Sequence, residues 1–467
     1  MRLQAIRLLS GFMVLSLIFL SACGQKAEEQ ASSQTAEDQL VEDEIENVEG
    51  LDGMSDGMAG RREPRLQNGV QGTRGEPLAL EVLDDTANPV IARKLLTREE
   101  IATGWISLFD GNSLFGWQSN NPDVNWKVEE GAITADVGPA GLLLTKVPFV
   151  NYELLCEFRF ESGGNSGLFL RSKTDPKDLL TDCIELNIAD KHPEGYTTGS
   201  LVSRAKTNTV APYSADWQTL HVTVNHNQVI VELNGEEVLE YLDEKGIVPE
   251  SGFIGLQQRF GKIAFRKVNV KPYALRSIFN GVDLNGWHEV PGSKAKFTVE
   301  DSCIRVQGGA GFLETDHPYK DFILQMDVRT GIKEINSGFF FRAEKGTEKA
   351  PSNGYEVQIH NGFVDNNRDQ PNNSGSGAIF RRADARRVVA NDLEWYTMTL
   401  VADGPQFSVW VDGFQVVDWK DERKADPNPR KGLRLDAGYI SLQGHDPTTD
   451  CEFRSIRIAE ISEQAAP

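Results

Sequence analysis

The sequence predicts an all-β protein in which two tandem jelly-roll β-sandwiches follow a disordered acidic tether. Three observations carry that expectation. The first is an internal repeat of domain size. Phe109-Asp110-Gly111 with Gly116-Trp117 returns as Phe279-Asn280-Gly281 with Gly286-Trp287, and Asn165-Ser166-Gly167 with Arg171 returns as Asn336-Ser337-Gly338 with Arg342. Trp217 and Trp395, Asn234-Gly235 and Asp412-Gly413, Leu256-Gln257 and Leu442-Gln443, then Phe265-Arg266 and Phe453-Arg454 follow in the same order, with an offset that climbs from 170 to 188 residues and never falls. A period of that length is a complete domain, not a solenoid unit, and the second copy reads as the first with longer loops. The second observation is period-two patterning. Tyr152 to Phe160, Leu220 to Val224 and Val229 to Leu233, with their counterparts Phe322 to Val328, Tyr396 to Val401 and Phe407 to Val411, alternate in polarity and are rich in Val, Ile, Phe, Leu and Thr. The third is that Asn-Gly and Asp-Gly turns separate such runs while helical periodicity is nearly absent, which reads as antiparallel hairpins. About a dozen strands per copy must close into two stacked sheets.

The chain opens with Met1-Arg2 and Arg7, an apolar run from Leu8 to Leu20, and Ser21-Ala22-Cys23. A basic start, a run shorter than the ~20 residues needed to span a bilayer and small residues before a cleavage point make residues 1–22 a secretory signal. Leu20-Ser21-Ala22-Cys23 resembles a bacterial lipobox, which implies lipidation at Cys23; an ordinary signal peptide with an incidental cysteine is the alternative. Gly24 stands where an inner-membrane retention signal usually carries Asp. The expectation is therefore export and a lipid anchor in the outer membrane, facing the periplasm or cell surface.

Residues 23–99 read as a linker. Between Gln25 and Gly60 there are 11 acidic residues against the single base Lys26, and few apolar residues, so no core can form there. This stretch holds 10 of the 21 net negative charges, which leaves the folded part moderately acidic and argues against a nucleic-acid partner. Nothing in the sequence fixes an oligomeric state. The remaining cysteines, Cys156, Cys183, Cys303 and Cys451, include no Cys-x-x-Cys pair, so a zinc cluster is not expected. Two per copy permit Cys156–Cys183 and Cys303–Cys451 bridges, with buried free thiols the alternative.

The two sandwiches are expected over residues 100–273 and 274–463. Trp217-Gln218-Thr219-Leu220 entering a strand, followed by a strand that ends in Asn234-Gly235, is a hairpin like those of lectin-like and laminin-like sandwiches. The ordered series continues with Tyr355-Glu356-Val357-Gln358-Ile359, Gly377-Ala378, Trp395-Tyr396, Leu442-Gln443-Gly444-His445 and Phe453-Arg454-Ser455-Ile456-Arg457. This series resembles the 3-keto-disaccharide hydrolase domain family, in both copies. The resemblance implies a concanavalin-like jelly roll, an oligosaccharide or glycoside ligand, and processing of sugars whose C3 hydroxyl has been oxidised to a ketone.

Strand alternation sorts the motif residues by face. Tyr355, Val357 and Ile359 point one way and Glu356, Gln358 and His360 the other; Ser441, Gln443 and His445 oppose Ile440 and Leu442; Phe340 and Arg342 oppose Phe339 and Phe341. A face with an Arg, a Glu, two Gln and two His is a candidate polar cleft for hydroxyl-rich ligands, although such groups also bond one another on ordinary outer faces. A C3 ketone acidifies the C2 proton, so a weak base can remove it while the C1 substituent leaves, and water addition completes the hydrolysis. That chemistry needs a base, an acid for the leaving oxygen and positive charge at the enolate. The candidates are His360 or Glu356 as base, His445 as acid and Arg342 at the enolate, with Gln358 and Gln443 binding substrate. No cofactor is required outright; a divalent metal held by Glu356, His360 and His445 is the alternative to Arg342.

In the first copy Arg171 and Glu185 persist, whereas Asn187 replaces Gln358, Ala189 replaces His360 and Arg259 replaces His445. Losing both imidazoles removes the groups that titrate near neutrality. The first copy is therefore expected to bind sugar through Arg171, Glu185, Asn187 and Gln257, or to be structural, and the second to carry catalysis. The loop with Arg381, Arg382, Arg386 and Arg387 offers either an anionic-sugar contact or a salt-bridged surface. The competing class is a non-catalytic cell-surface carbohydrate-binding or adhesion lipoprotein.

Overall fold

The computed structural model describes residues 95–208 and 213–461. The expected signal peptide, the expected lipidation site Cys23 and nearly all of the expected acidic tether lie outside the described residues. The folded body starts before the expected boundary at residue 100: a one-turn helix, α1 (Arg98–Ala102), is opened by a capping box in which the Thr97 hydroxyl accepts from the Glu100 N–H at 3.1 Å and the Glu100 carboxylate accepts from the Thr97 N–H at 2.6 Å.

Everything else is β. The first sandwich contains β1 (Ile106–Ser107), β2 (Trp117–Ser119), β3 (Lys127–Glu129), β4 (Ala132–Ala135), β5 (Gly141–Thr145), β6 (Tyr152–Phe160), β7 (Asn165–Ser172), β8 (Ile184–Ala189), β9 (Gln218–Asn225), β10 (Gln228–Leu233), β11 (Glu236–Leu242), β12 (Phe253–Phe260) and β13 (Ile263–Pro272). The second contains β14 (Arg276–Ser277), β15 (Trp287–Glu289), β16 (Lys296–Glu300), β17 (Cys303–Gln307), β18 (Gly311–Thr315), β19 (Phe322–Thr330), β20 (Ser337–Ala343), β21 (Tyr355–Ile359), β22 (Tyr396–Asp403), β23 (Gln406–Val411), β24 (Phe414–Lys420), β25 (Tyr439–Gly444) and β26 (Asp450–Glu460). Each copy pairs an eight-stranded sheet with a five-stranded one, ordered β2-β5-β12-β7-β8 in the first and β15-β18-β25-β20-β21 in the second, with every pairing antiparallel. The tandem jelly-roll expectation holds.

Alternation places the core as expected. In β6, Leu154, Cys156 and Phe158 are fully buried between the sheets while Glu153 and Glu157 face outward. All four cysteines are buried free thiols, so neither bridge forms. Cys156 lies in the main core and Cys183 in a separate cluster. Cys303 and Cys451 are on adjacent strands, but Cys451 pairs with Val306, three residues along from Cys303 and beyond disulfide reach.

The repeat implies two self-sufficient folds, yet the copies share an apolar interface. Ile323, Val401 and Trp410, on the outer face of the second copy's large sheet, join the core cluster of the first. Trp410, 1% exposed, donates its indole N–H to the Ser107 carbonyl at 2.9 Å, and the Ser107 N–H donates to the Gly413 carbonyl at 2.8 Å. Gln325 Nε2 donates to the Gly104 carbonyl at 3.0 Å. The approach is close enough to need glycine at Gly116, where φ is +83° and a Cβ would stand 2.1 Å from Gln415 Oε1; its counterpart Gly286 meets nothing within 4 Å.

Candidate active site

The candidate cleft is the outer face of the second copy's five-stranded sheet, where β25, β20 and β21 are neighbours. Register places Gly338 between Gln443 and Gln358, and Phe340 between Ser441 and Glu356. Gly338 leaves the middle of the face without a side chain, and a Cβ there would stand 3.0 Å from Glu356 Oε1. The row of amides thus has a floor between its two members.

At one end of this face stand the imidazoles. His360 is 6% exposed; its Nδ1–H donates to the Ile335 carbonyl at 3.0 Å, leaving Nε2 in the neutral ring as a buried acceptor with no partner. His445 is exposed at the end of β25, with Nδ1–H donating to Asp446 Oδ2 at 2.9 Å and Nε2 accepting from Asn336 Nδ2 at 2.9 Å. The Thr448 hydroxyl and the His445 ring hold the Asp446 carboxyl below its usual range. Asn336 Oδ1 in turn accepts from Gln358 Nε2 at 3.1 Å and Asn373 Nδ2 at 3.2 Å. One bonded chain therefore runs Asp446, His445, Asn336, Gln358. Gln358 Oε1 and Gln443 Oε1 are buried without a partner, like His360 Nε2. A buried acceptor left unmatched costs roughly 1–3 kcal/mol, and these three lie on β25, on β21 and just past the end of β21, with β20 between the two strands.

At the other end, burial pushes the Glu356 carboxyl up to about 7, with Arg381 and Arg430 partly opposing the rise. Its carboxylate makes no protein hydrogen bond among the described residues. Glu356 on β21 and His360 just past its end are four positions apart, about 13 Å of extended chain. Among the described residues no group of three or more His, Cys, Asp and Glu side chains is placed to hold a metal ion. The expected set of Glu356, His360 and His445 does not converge: the first two are too far apart along the extended chain, and His445 has both ring nitrogens engaged.

Arg342 is the clearest departure from the alternation pattern. The pairing of β20 with β25 slips between Phe340 and Ala343, and Arg342 has φ of +49°. This bulge shifts the phase by one residue, so Ala343 joins Phe340 in the outer-face cluster and Arg342 turns inward. There its Nε donates to Lys320 O at 2.8 Å, Nη1 to Gly404 O and to Arg434 O (2.9 Å), and Nη2 to Asp321 Oδ1 at 2.7 Å. The guanidinium is committed to structure and does not face the cleft. Arg171 repeats the device at φ of +47°, donating to the carbonyls of Val150, His226 and Pro249 and to Asn151 Oδ1.

The corresponding face of the first copy carries a small apolar cluster of Leu142, Leu144, Phe169 and Cys183, with Leu179 and Phe253 packed alongside, as that of the second copy carries Val290, Phe312, Phe340 and Ala343. Asn187 donates its amide to Tyr196 O, and Gln257 Nε2 donates to Glu185 Oε1 at 3.1 Å; burial raises the Glu185 carboxyl, against Gln257 and Arg259. Of the expected sugar-binding set, Glu185 and Gln257 meet each other, Asn187 is spent on its own loop and Arg171 is interior.

The arginine loop of the second copy divides its roles. Arg387 pairs with Asp369 at 2.6 Å, Arg386 pairs with Asp110 of the first copy at 2.7 Å, and Arg381 approaches Glu356. Sequence patterning overlooked Asn336, Asn373, Asp446 and Arg430. Asn336 opens the repeated Asn-Ser-Gly motif and Asp446 directly follows His445, which were the available signals; Asn373 and Arg430 lie in loops with none.

The model of the 3-keto-alpha-glucoside-1,2-lyase-like domain family matches twice, over residues 104–271 and 274–459. A protein of Bacteroides thetaiotaomicron named 3-keto-disaccharide hydrolase is 26% identical over an alignment covering 36% of this chain and 79% of that protein. Two crystal structures of proposed glycosyl hydrolases from Parabacteroides distasonis are also similar. One is 22% identical, with 38% of this chain and 97% of the other covered and a TM-score of 0.34; the other is 26% identical, with 36% and 98% covered and a TM-score of 0.31.

Proposed function

Since the chain belongs, through both of its sandwiches, to the 3-keto-alpha-glucoside-1,2-lyase-like domain family, we propose that its C-terminal sandwich cleaves glycosides oxidised at C3, by elimination and then hydration. The observation that carries this reading is the trio of buried, unpartnered acceptors His360 Nε2, Gln358 Oε1 and Gln443 Oε1. His360 Nε2 takes the C2 proton, and the electron pair of the C–H bond expels the C1 oxygen through the enolate of the C3 ketone. His445, oriented by Asp446, passes a proton to the departing oxygen, which requires the ring to enter the step protonated on both nitrogens and its Nε2–H to turn from Asn336 to the substrate oxygen. Gln358 and Gln443 accept sugar hydroxyls. Arg342, being interior, has no part in the step, and the enolate falls to the amides at that end of the face. No step runs through a metal.

Glu356, about 13 Å along the extended chain, lies within reach of the neighbouring sugar unit. A second reading, favoured by its pKa of about 7, gives Glu356 the C2 proton. The two readings separate in heavy water: incubation of the full chain with a 3-keto-disaccharide should exchange the C2 hydrogen and release the C1 alcohol. His360→Asn should abolish both processes under the first reading and Glu356→Gln under the second. Cleavage of neither the ketone nor its unoxidised parent, with binding of the parent retained, would leave a carbohydrate-binding lipoprotein instead. The lipobox-like Leu20-Ser21-Ala22-Cys23 supports an outer-membrane lipid anchor; Cys23→Ser should release the chain from the membrane fraction, and persistent membrane association would refute the anchor.

A further inference from the structure

We propose that the first sandwich is a positioning device for the candidate active site, acting through an ion pair between Asp110 and Arg386; this inference rests on the site assigned above. β21 is the edge strand of its sheet. An exposed edge leaves backbone groups unpaired, and here a segment of the arginine loop satisfies them. The Phe380 N–H donates to Glu356 O at 2.9 Å, the Gln358 N–H to Ala378 O at 3.0 Å, the Gly377 N–H to Gln358 O at 2.9 Å and the Ser376 N–H to His360 O at 2.9 Å. The Ser376 hydroxyl also accepts from the His360 N–H at 2.9 Å. Glu356 and Gln358 of β21, and His360 just past its end, are thus held through their backbone by residues 376–380.

That segment is tethered a few residues on. The Arg386 N–H donates to Val416 O and its Nε to Gln415 O, while Nη1 reaches Asp110 Oδ2 at 2.7 Å across the interface. Its guanidinium lies between the rings of Phe115 from the first sandwich and Phe414 from the second, 4.2 and 4.4 Å from their centroids. A charged group fixed by a carboxylate and two aromatic faces has little freedom, and the planar guanidinium suits that slot as an ammonium would not. Asp110 is itself fixed, accepting from the Asn112 and Ser113 N–H groups at 2.8 and 2.7 Å and from the Ser113 hydroxyl at 2.7 Å. Its counterpart Asn280 accepts from Val282 and Asp283 in the same turn. The first copy's motif therefore carries a charge whose partner belongs to the second copy's arginine loop.

The test compares Asp110→Asn with Lys146→Met in the full chain. Lys146 makes another ion pair across the interface, with Asp418 at 2.6 Å, so its loss reports general weakening of the contact. Hydrogen exchange at the amides of Gly377, Phe380 and Gln358 should speed up by roughly tenfold in Asp110→Asn, the worth of a charge-assisted hydrogen bond, and stay unchanged in Lys146→Met. Turnover of a 3-keto-disaccharide should fall in Asp110→Asn by a similar factor in kcat, with KM changed less than about threefold. Unchanged exchange in Asp110→Asn, or equal acceleration in both variants, overturns the inference. Faster exchange in Asp110→Asn alone, in a chain that cleaves no keto-sugar, would uphold the mechanical link and sink the function assigned to the site.

Discussion

Replacing Glu356 with Gln tests the electrostatics of the cleft without needing a substrate. The carboxyl is raised from an ordinary 4.5 to about 7, chiefly by burial. Between those values the unfolded chain has lost its proton while the folded chain still holds it. The folded state therefore loses stability as pH rises through that window and reaches a plateau above about 7. The full interval corresponds to about 3 kcal/mol, and solvent at this half-buried group trims the expected loss to between about 1 and 3 kcal/mol. Glu356→Gln cannot ionise, so the stability of the variant minus that of the parent should climb from pH 4.5 to about 7 and then level off. Urea unfolding followed by tryptophan fluorescence measures the difference, with equal m-values required for the comparison. Shared contributions from other titrating groups cancel. A difference that is flat with pH would show that the carboxyl titrates normally, and the second reading of the catalytic base would lose its support.

Arg342→Met should destabilise the chain by about 3–5 kcal/mol, because it strands Asp321 and three carbonyl acceptors in the interior; a thermally normal variant with impaired turnover would instead return Arg342 to the chemistry. His445→Gln should lower kcat by roughly 10²–10⁴-fold, the usual worth of a positioned acid or base, and Asp446→Asn should lower it less while moving the pH–rate profile; equal kcat in Asp446→Asn and the parent would remove Asp446 as an orienting group. Residues 274–467 produced alone should aggregate or bind hydrophobic dye, since Ile323, Val401 and Trp410 lose their cover, and a monodisperse, cooperatively unfolding fragment would contradict that.

The outward direction of the candidate residues was legible because strands alternate: Glu356, Gln358, Ser441 and Gln443 are where a period of two puts them. Alternation is a local rule, and it failed at the residue where local geometry changes. Arg342 and Arg171 sit at bulges with positive φ, and no residue in either motif announces that an arginine will adopt a conformation that usually favours glycine. Pairings between distant segments were not legible either. Asp110 and Arg386 are 276 residues apart, and Asn336 meets His445 across 109; each residue taken alone reads as a turn former, a surface cation or a polar strand end. The same limit hid the metal question, since a Glu and a His four apart look like ligands only until the extended chain between them is measured out.

The two copies also show why a degenerate repeat would be retained. On the first copy's corresponding face Glu185 is bonded to Gln257 and Asn187 to the Tyr196 carbonyl, and Ala189 and Arg259 stand where the second copy has its imidazoles. The second glycine and the aspartate of the first copy's Phe-Asp-Gly…Gly-Trp motif instead meet the second copy. Gly116 admits Gln415, Asp110 takes Arg386, and Phe115 covers the guanidinium. In the second copy the equivalent Gly286 faces open space and Asn280 serves only its own turn. An element that began as a turn in both sandwiches has thus become, in one of them, the anchor of the other's arginine loop. If that is why the first sandwich persists, Gly116→Ala, which drives a methyl into Gln415 beside Arg386, should lower kcat alongside Asp110→Asn, whereas Gly286→Ala should carry only the strain of its own positive φ and leave kcat unchanged.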